Sequence, residues 1–186
     1  MRNLKSASVV GNSLYLSLSK DLFSAFIRRQ DVTKCWRKIS GEWEIKDIPF
    51  IDDWNESEYE ELICGLLTTL ESGGFVAGAF YKGALKGFVS VESGIFGGEN
   101  RYADLSNIHV SRDFRGNGIG RILFGMAKEW AAAHGAKKLY ISAHSAVESQ
   151  AFYHAMGCVE ATEYNQAHVI KEPCDCQMEC RIYSKP

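Results

Sequence analysis

The chain has 186 residues, 46% hydrophobic and 24% charged, with a formal net charge of −2, which suits a single domain with its own core. The absence of a basic excess argues against nucleic acid as the main partner, because no surplus of Lys and Arg is present to displace phosphate counterions. No apolar run approaches a membrane span, and Met1-Arg2-Asn3-Leu4-Lys5 lacks the apolar centre of a signal peptide, so a cytoplasmic location with no membrane partner is expected.

Residues 1–16 are weakly patterned. Ser17 to Arg29 reads as a short helix with Leu22, Phe23, Phe26 and Ile27 on one face and Ser17 or Ser19 as its cap. Val32–Ile39 and Glu42–Ile48 flank Ser40-Gly41 and predict a hairpin. A helix follows, with a capping-box pattern in Ser57-Glu58-Tyr59-Glu60 and an apolar stripe of Leu62, Ile63, Leu66, Leu67 and Leu70. Gly73-Gly74 ends it. Strands Phe75–Tyr81 and Leu85–Glu92 meet at Lys82-Gly83, and a glycine-rich loop from Gly94 to Gly98 leads into a strand over Tyr102–Ser111. Beyond Arg115–Arg121 runs a helix with Ile119, Ile122, Leu123, Met126 and Trp130 on one face. A strand at Lys138–Ser142, a helix at Val147–Met156 and closing strands near 158–164 and 174–183 complete the order. The expected architecture is α/β or α+β, one domain with a mixed sheet and a crossover helix.

Cys35, Cys64, Cys158, Cys174, Cys176 and Cys180 raise the question of disulfides or metal. Cys174, Cys176, Met178 and Cys180 alternate with Asp175, Gln177 and Glu179, so a strand puts sulfurs on one face and polar groups on the other. Same-face strand positions are too far apart and too parallel for a compact tetrahedral site. No C-x-x-C pair completes one, and no metal is expected. The cysteines read as small apolar core residues in a reducing compartment.

The stretch Arg115-Gly116-Asn117-Gly118-Ile119-Gly120-Arg121 carries the most chemistry. A strand feeding a glycine-rich turn at a helix N-terminus is a site for phosphate, since the first helical amides lack partners and the dipole favours an anion. A dinucleotide fingerprint needs a third glycine where Arg121 stands, which disfavours a nucleotide-binding oxidoreductase, and no G-K-[ST] ending supplies a Walker A loop. What fits is R-x-x-G-x-G. It resembles the acetyl-CoA pyrophosphate loop of the GNAT N-acetyltransferase superfamily.

Two further segments carry that resemblance. Leu105-Ser106-Asn107-Ile108-His109-Val110-Ser111, ahead of the loop, is similar to the family's fourth strand, and Ala151-Phe152-Tyr153-His154-Ala155-Met156-Gly157-Cys158 resembles its second hallmark. One position departs from the pattern: Ala146 stands where many members carry asparagine. The likeness covers roughly residues 45–183, leaving 1–45 as an N-terminal elaboration on an acetyltransferase core of 46–183. It implies a GNAT-like acyl-CoA N-acyltransferase fold with acetyl-CoA as co-substrate. Arg115, Gly116, Asn117, Gly118, Ile119 and Gly120 would then offer backbone amides to the diphosphate, and Arg121 a side-chain contact. Backbone groups of Ile108, His109 and Val110 would hold pantetheine as if it were another strand, with an amide polarising the thioester. Tyr153 would protonate the departing thiolate, a phenol of pKa ~10 facing a thiol of about 8.5.

For the base that deprotonates the amine, the resemblance implies Asp104, where some members place a glutamate. On a continuous strand Asp104, Ser106, Ile108 and Val110 share one face, with His109 packed on the other. His144 and Glu148 are further candidates. The acceptor is expected among the early helices, where Asp52, Asp53, Glu56, Glu58, Glu60 and Glu61 interleave with Trp54 and Tyr59. Such a rim suits a cationic amine, and it equally suits the solvated first turn of a capped helix. The expected function is acetyl transfer from acetyl-CoA to a primary amine of a small molecule, such as a cationic metabolite or antibiotic, by direct attack in a ternary complex. The alternatives are a protein or peptide amine as acceptor, or a non-catalytic acyl-CoA-binding sensor module. Against the sensor stands Tyr153, a proton donor that a binder does not need. Look-alikes are frequently homodimers, and no exposed stripe settles that here.

Overall fold

The chain forms β1 (Ser8–Val10), β2 (Gln30–Ile39), β3 (Glu42–Asp52) and α1 (Glu56–Glu71) in a computed structural model that describes residues 8–10 and 18–182. It continues through β4 (Phe75–Tyr81), β5 (Ala84–Val91), β6 (Ile95–Phe96), β7 (Tyr102–Asp104) and β8 (Asn107–Val110). The last part holds α2 (Ile119–Ala133), β9 (Lys138–Ala143), α3 (Val147–Ala155), β10 (Val159–Glu160), α4 (Gln166–Lys171) and β11 (Cys176–Arg181). Among these helices none is long and apolar enough to cross a membrane.

The expected single mixed sheet is divided in two. One antiparallel sheet has the order β1-β4-β5-β8, and the other runs β10-β11-β9-β7-β6 with β7 and β9 parallel. The hairpin β2-β3 is separate, and the boundary expected near residue 45 falls inside β3. The continuous strand expected over 102–111 is broken at Leu105-Ser106 because its partners change: the Leu105 amide donates to Tyr140 and the Ser106 amide to Ser90. Beyond that point β8 follows β5 while β9 follows β11, and the two sheets part.

Both faces of the β4-β5-β8 sheet are covered. Phe23, Phe26 and Leu66 of the first half pack with Val76, Leu85 and Phe88 on one face. On the other, Ile119, Leu123, Phe124, Ala127 and Ala131 of α2 meet Ala77, Val89 and Val91. The buried stripe of α2 is therefore rotated from the one expected: Ile122 is 49% exposed, and the small Ala127 and Ala131 bring the helix close to the sheet.

The helix expected over Ser17–Arg29 is one 3-10 turn, Lys20–Phe23, preceded by Ser19 without a side-chain cap; Ser17 lies outside the described residues. Tertiary contacts prevail over helical spacing there. Phe23 packs edge-on and Phe26 tilted against Phe88, and Ile27 bonds through its amide to Ser111 Oγ and through its carbonyl to the Arg112 amide. The α1 cap also sits earlier than expected. Asn55 Oδ1 accepts from the Glu58 amide and Glu58 Oε2 from the Asn55 amide, while Trp54 packs edge-on against Tyr59 as a hydrophobic staple.

Helix α4 has no counterpart in the sequence reading, and β10 is shorter than the strand expected there. In β11, Cys176, Met178 and Cys180 face the core as the alternation predicts, whereas Cys174 precedes the strand and is exposed. The opposite face is buried too. Gln177 accepts from Tyr140 Oη and donates to Ser142 Oγ, and Glu179 accepts from Lys138 Nζ, Tyr102 Oη and Thr162. Satisfied polar partners make that burial tolerable.

Candidate active site

Where the sheets part, a cavity of 770 Å³ opens between the glycine-rich turn, β8, α3 and the segment around Arg28. Its phosphate end is built by backbone. Gly116 and Gly118 have φ of 76° and 83°, a left-handed conformation that other residues enter only with strain, and a side chain on either would meet nothing within 4 Å. Gly118 is the N-cap of α2 and supplies no side chain, so the first amides of the helix stand as an anion site. Gly118, Ile119, Gly120 and Arg121 all line the cavity.

Gly120 has a further reason to lack a side chain. A Cβ there would lie 3.0 Å from the Phe152 ring, so this glycine lets α2 and α3 approach. Asn117 braces the turn through Nδ2 to the carbonyls of Phe114 and Arg115 and does not line the cavity. Arg115 donates from Nε to the Val110 carbonyl and from Nη2 to the Arg28 carbonyl. Arg121 stands exposed at the rim.

Along β8 the backbone groups alternate between its two edges. The Ser111 amide points to Lys86 on β5, so His109, two residues earlier, also turns its N–H and C=O toward β5. The groups that face away from β5 are those of Ile108 and the Val110 N–H, since Arg115 holds the Val110 carbonyl, and all three residues line the cavity. The backbone role the resemblance implied for His109 therefore meets an occupied edge. Its ring packs between Trp54 and Phe88, at 4.7 and 5.2 Å, where burial and then the Arg28 charge hold it neutral, well below the usual histidine pKa.

Tyr153 is buried and lines the cavity, and its hydroxyl has no hydrogen-bond partner among the described residues. Because that oxygen is not sealed inside protein, it opens to the cavity. Burial, with smaller contributions from Cys158 and Asp175, pushes its pKa up, so the phenol keeps its proton.

Asp104 stands elsewhere. The break at Leu105-Ser106 removes the common face it was expected to share with Ile108 and Val110, and it does not line the cavity. Its Oδ2 accepts from His168 Nε2 on α4 at 2.6 Å, and its Oδ1 is buried without a partner. His144 and Glu148 do line the cavity. The acidic stretch before α1 divides: Glu56 pairs with Lys20, Glu58 caps the helix, and Glu60 and Glu61 are exposed and outside the cavity. Asp52 alone of that set reaches the wall. It pairs with Arg28 Nη2 at 2.6 Å, beside His144 Nε2 at 3.9 Å. Arg28 was missed as a site residue, since nothing in its spacing links it to positions 109 or 144. Among the described residues no three His, Cys, Asp or Glu side chains converge as a metal site.

One cavity thus joins an uncapped helix N-terminus, the outward edge of β8 and a buried phenol on an α/β scaffold. Residues 39–158 match the acetyltransferase (GNAT) family, and the chain belongs to that family as an acetyl-CoA-dependent N-acetyltransferase. Its fold is shared with nourseothricin acetyltransferase, at 17% identity and a TM-score of 0.71 over 96% of this chain and all (100%) of that one. A putative streptothricin acetyltransferase from Bacillus anthracis str. Ames, in complex with acetyl coenzyme A, has 16% identity and a TM-score of 0.67, covering 97% and 99% of the two chains. A GNAT acetyltransferase from Staphylococcus aureus Mu50 has 14% identity and a TM-score of 0.61 over 96% and 100%. No curated protein sequence matches the chain.

Proposed function

We propose that the protein acetylates a primary amine of a small molecule by direct transfer from acetyl-CoA bound in this cavity. The observation that carries the reading is the continuity of one cavity from the uncapped N-terminus of α2, past Ile108 and Val110, to the Tyr153 hydroxyl. Arg28, Asp52 and His144 line the cavity together with the glycine-rich turn and Tyr153, which supports an acceptor small enough to sit among them. The structural neighbour holding acetyl coenzyme A supports the donor.

In this reading Gly116–Arg121 hold the diphosphate, and the outward amides of β8 take the developing charge on the thioester oxygen. The amine attacks, a C–N bond forms and the C–S bond breaks. Tyr153 gives its proton to the CoA thiolate. The proton of the amine leaves through water in the cavity, where His144 and Glu148 stand on the wall and Asp104 does not, and solvent returns the phenol to its protonated form.

The test is thiol release from acetyl-CoA across a panel of primary amines. Amine-dependent release with formation of the N-acetyl product is expected, and release from no amine would leave a binding module instead. With a working acceptor, Asp104→Asn is expected to leave the acidic limb of the kcat/KM–pH profile unchanged, because the carboxylate stands off the cavity. A shifted limb would assign the proton to Asp104.

A further inference from the structure

The acceptor end of the cavity carries its own charge pattern, and resting on the reading above, it narrows the amine. Arg28 is 8% exposed, stacks over Trp54 at 4.7 Å, and gives Nη2 to Asp52. Its Nε is buried without a partner, whereas Nη1 is neither paired among the described residues nor sealed off. Asp52 uses Oδ2 on Arg28 and leaves Oδ1 unpaired and accessible. His144 Nδ1 accepts from the Ala146 amide at 3.2 Å, which leaves Nε2, beside Asp52, as the nitrogen that carries a proton.

Three groups thus present themselves together: a cationic donor, an anionic acceptor and an imidazole N–H donor. A simple cation drawn to Asp52 is repelled by Arg28 from nearly the same distance, and a simple anion meets the mirror problem. A ligand whose own opposite charges lie side by side gains from both. We propose that the acceptor is an amino carboxylate, an α- or β-amino acid, with its ammonium on Asp52 Oδ1 and its carboxylate on Arg28 Nη1 and His144 Nε2. The planar guanidinium, held by Trp54, is pre-organised for a carboxylate. After losing a proton the same nitrogen attacks the thioester; the carboxylate stays anchored and takes no part in the bond exchange.

Matched pairs that differ by one carboxylate test this: lysine against cadaverine, tyrosine against tyramine, phenylalanine against phenethylamine, each followed by thiol release from acetyl-CoA. The amino acid of at least one pair is expected to show a kcat/KM about tenfold or more above its decarboxylated partner, the scale of one charge-assisted hydrogen bond. Arg28→Gln is expected to bring that ratio near one while acetyl-CoA binding persists. If Arg28→Gln fails to fold, His144→Phe leaves the Arg28–Asp52 pair in place and is expected to lower the ratio at least about threefold. Equal or better turnover of the decarboxylated amines, or a ratio unmoved by the variant that folds, overturns the inference and leaves the N-acetyltransferase standing. Release from other amines but from no amino acid does the same. Release from no amine at all overturns both.

Discussion

At the scale of single residues, burial decides what Tyr153 can do. A phenol whose anion is penalised by desolvation keeps its proton in the ground state, and the same desolvation raises the basicity of a CoA thiolate generated beside it. Tyr153→Phe is expected to lower kcat by about one to three orders of magnitude while leaving the acetyl-CoA Kd unchanged, by steady-state kinetics and calorimetry. His168 makes a different prediction. Its bond to Asp104 raises its pKa above the ordinary histidine value, so folding favours the imidazolium. Stability from the pair is complete below the unfolded histidine pKa of about 6.5 and is lost as pH rises through the raised folded value. His168→Gln should therefore lower Tm more at about pH 5.5 than at about pH 9, and an equal loss at both would deny the coupling. Tyr153 was legible because its motif is local. The partner of Asp104 was not, because His168 lies 64 positions away on a helix the sequence did not announce.

At the scale of elements, the glycine-rich turn and α3 were readable, since each couples a periodic helix to a local signal. The break in the strand over 102–111 was not. Its one mark in the sequence is a slip of phase at the adjacent polar residues Ser106-Asn107, which only the change of partner from Tyr140 to Ser90 turns into a parting of the sheets. The three glycines of the turn also looked alike in sequence, yet Gly120 abuts Phe152 while Gly116 and Gly118 face open space. Gly120→Val is expected to lower the unfolding free energy by about 1–3 kcal/mol through overpacking, read by denaturant unfolding. An unchanged midpoint would mean that Phe152 yields freely.

At the scale of the molecule, the hairpin and the 3-10 turn ahead of α1 matter more than their sequence suggests. Gln30, Asp31 and Asp52 from β2 and β3, with Arg28 beside them, line the same cavity as residues of α2 and α3. The hairpin is held there by backbone: the Trp36 amide donates to the Ser145 carbonyl at 2.8 Å, and Cys35 bridges Ala146. One part of the cavity lining is thus written in short motifs, and the other in long-range packing. The central claim is that the turn at Gly116–Gly120 holds acetyl-CoA, and calorimetric titration tests it without knowledge of the acceptor. The account predicts one acetyl-CoA per chain for the wild type and no measurable binding for Gly118→Asp, whose carboxylate would sit in a left-handed position against the diphosphate. Undiminished binding by a folded Gly118→Asp would contradict it.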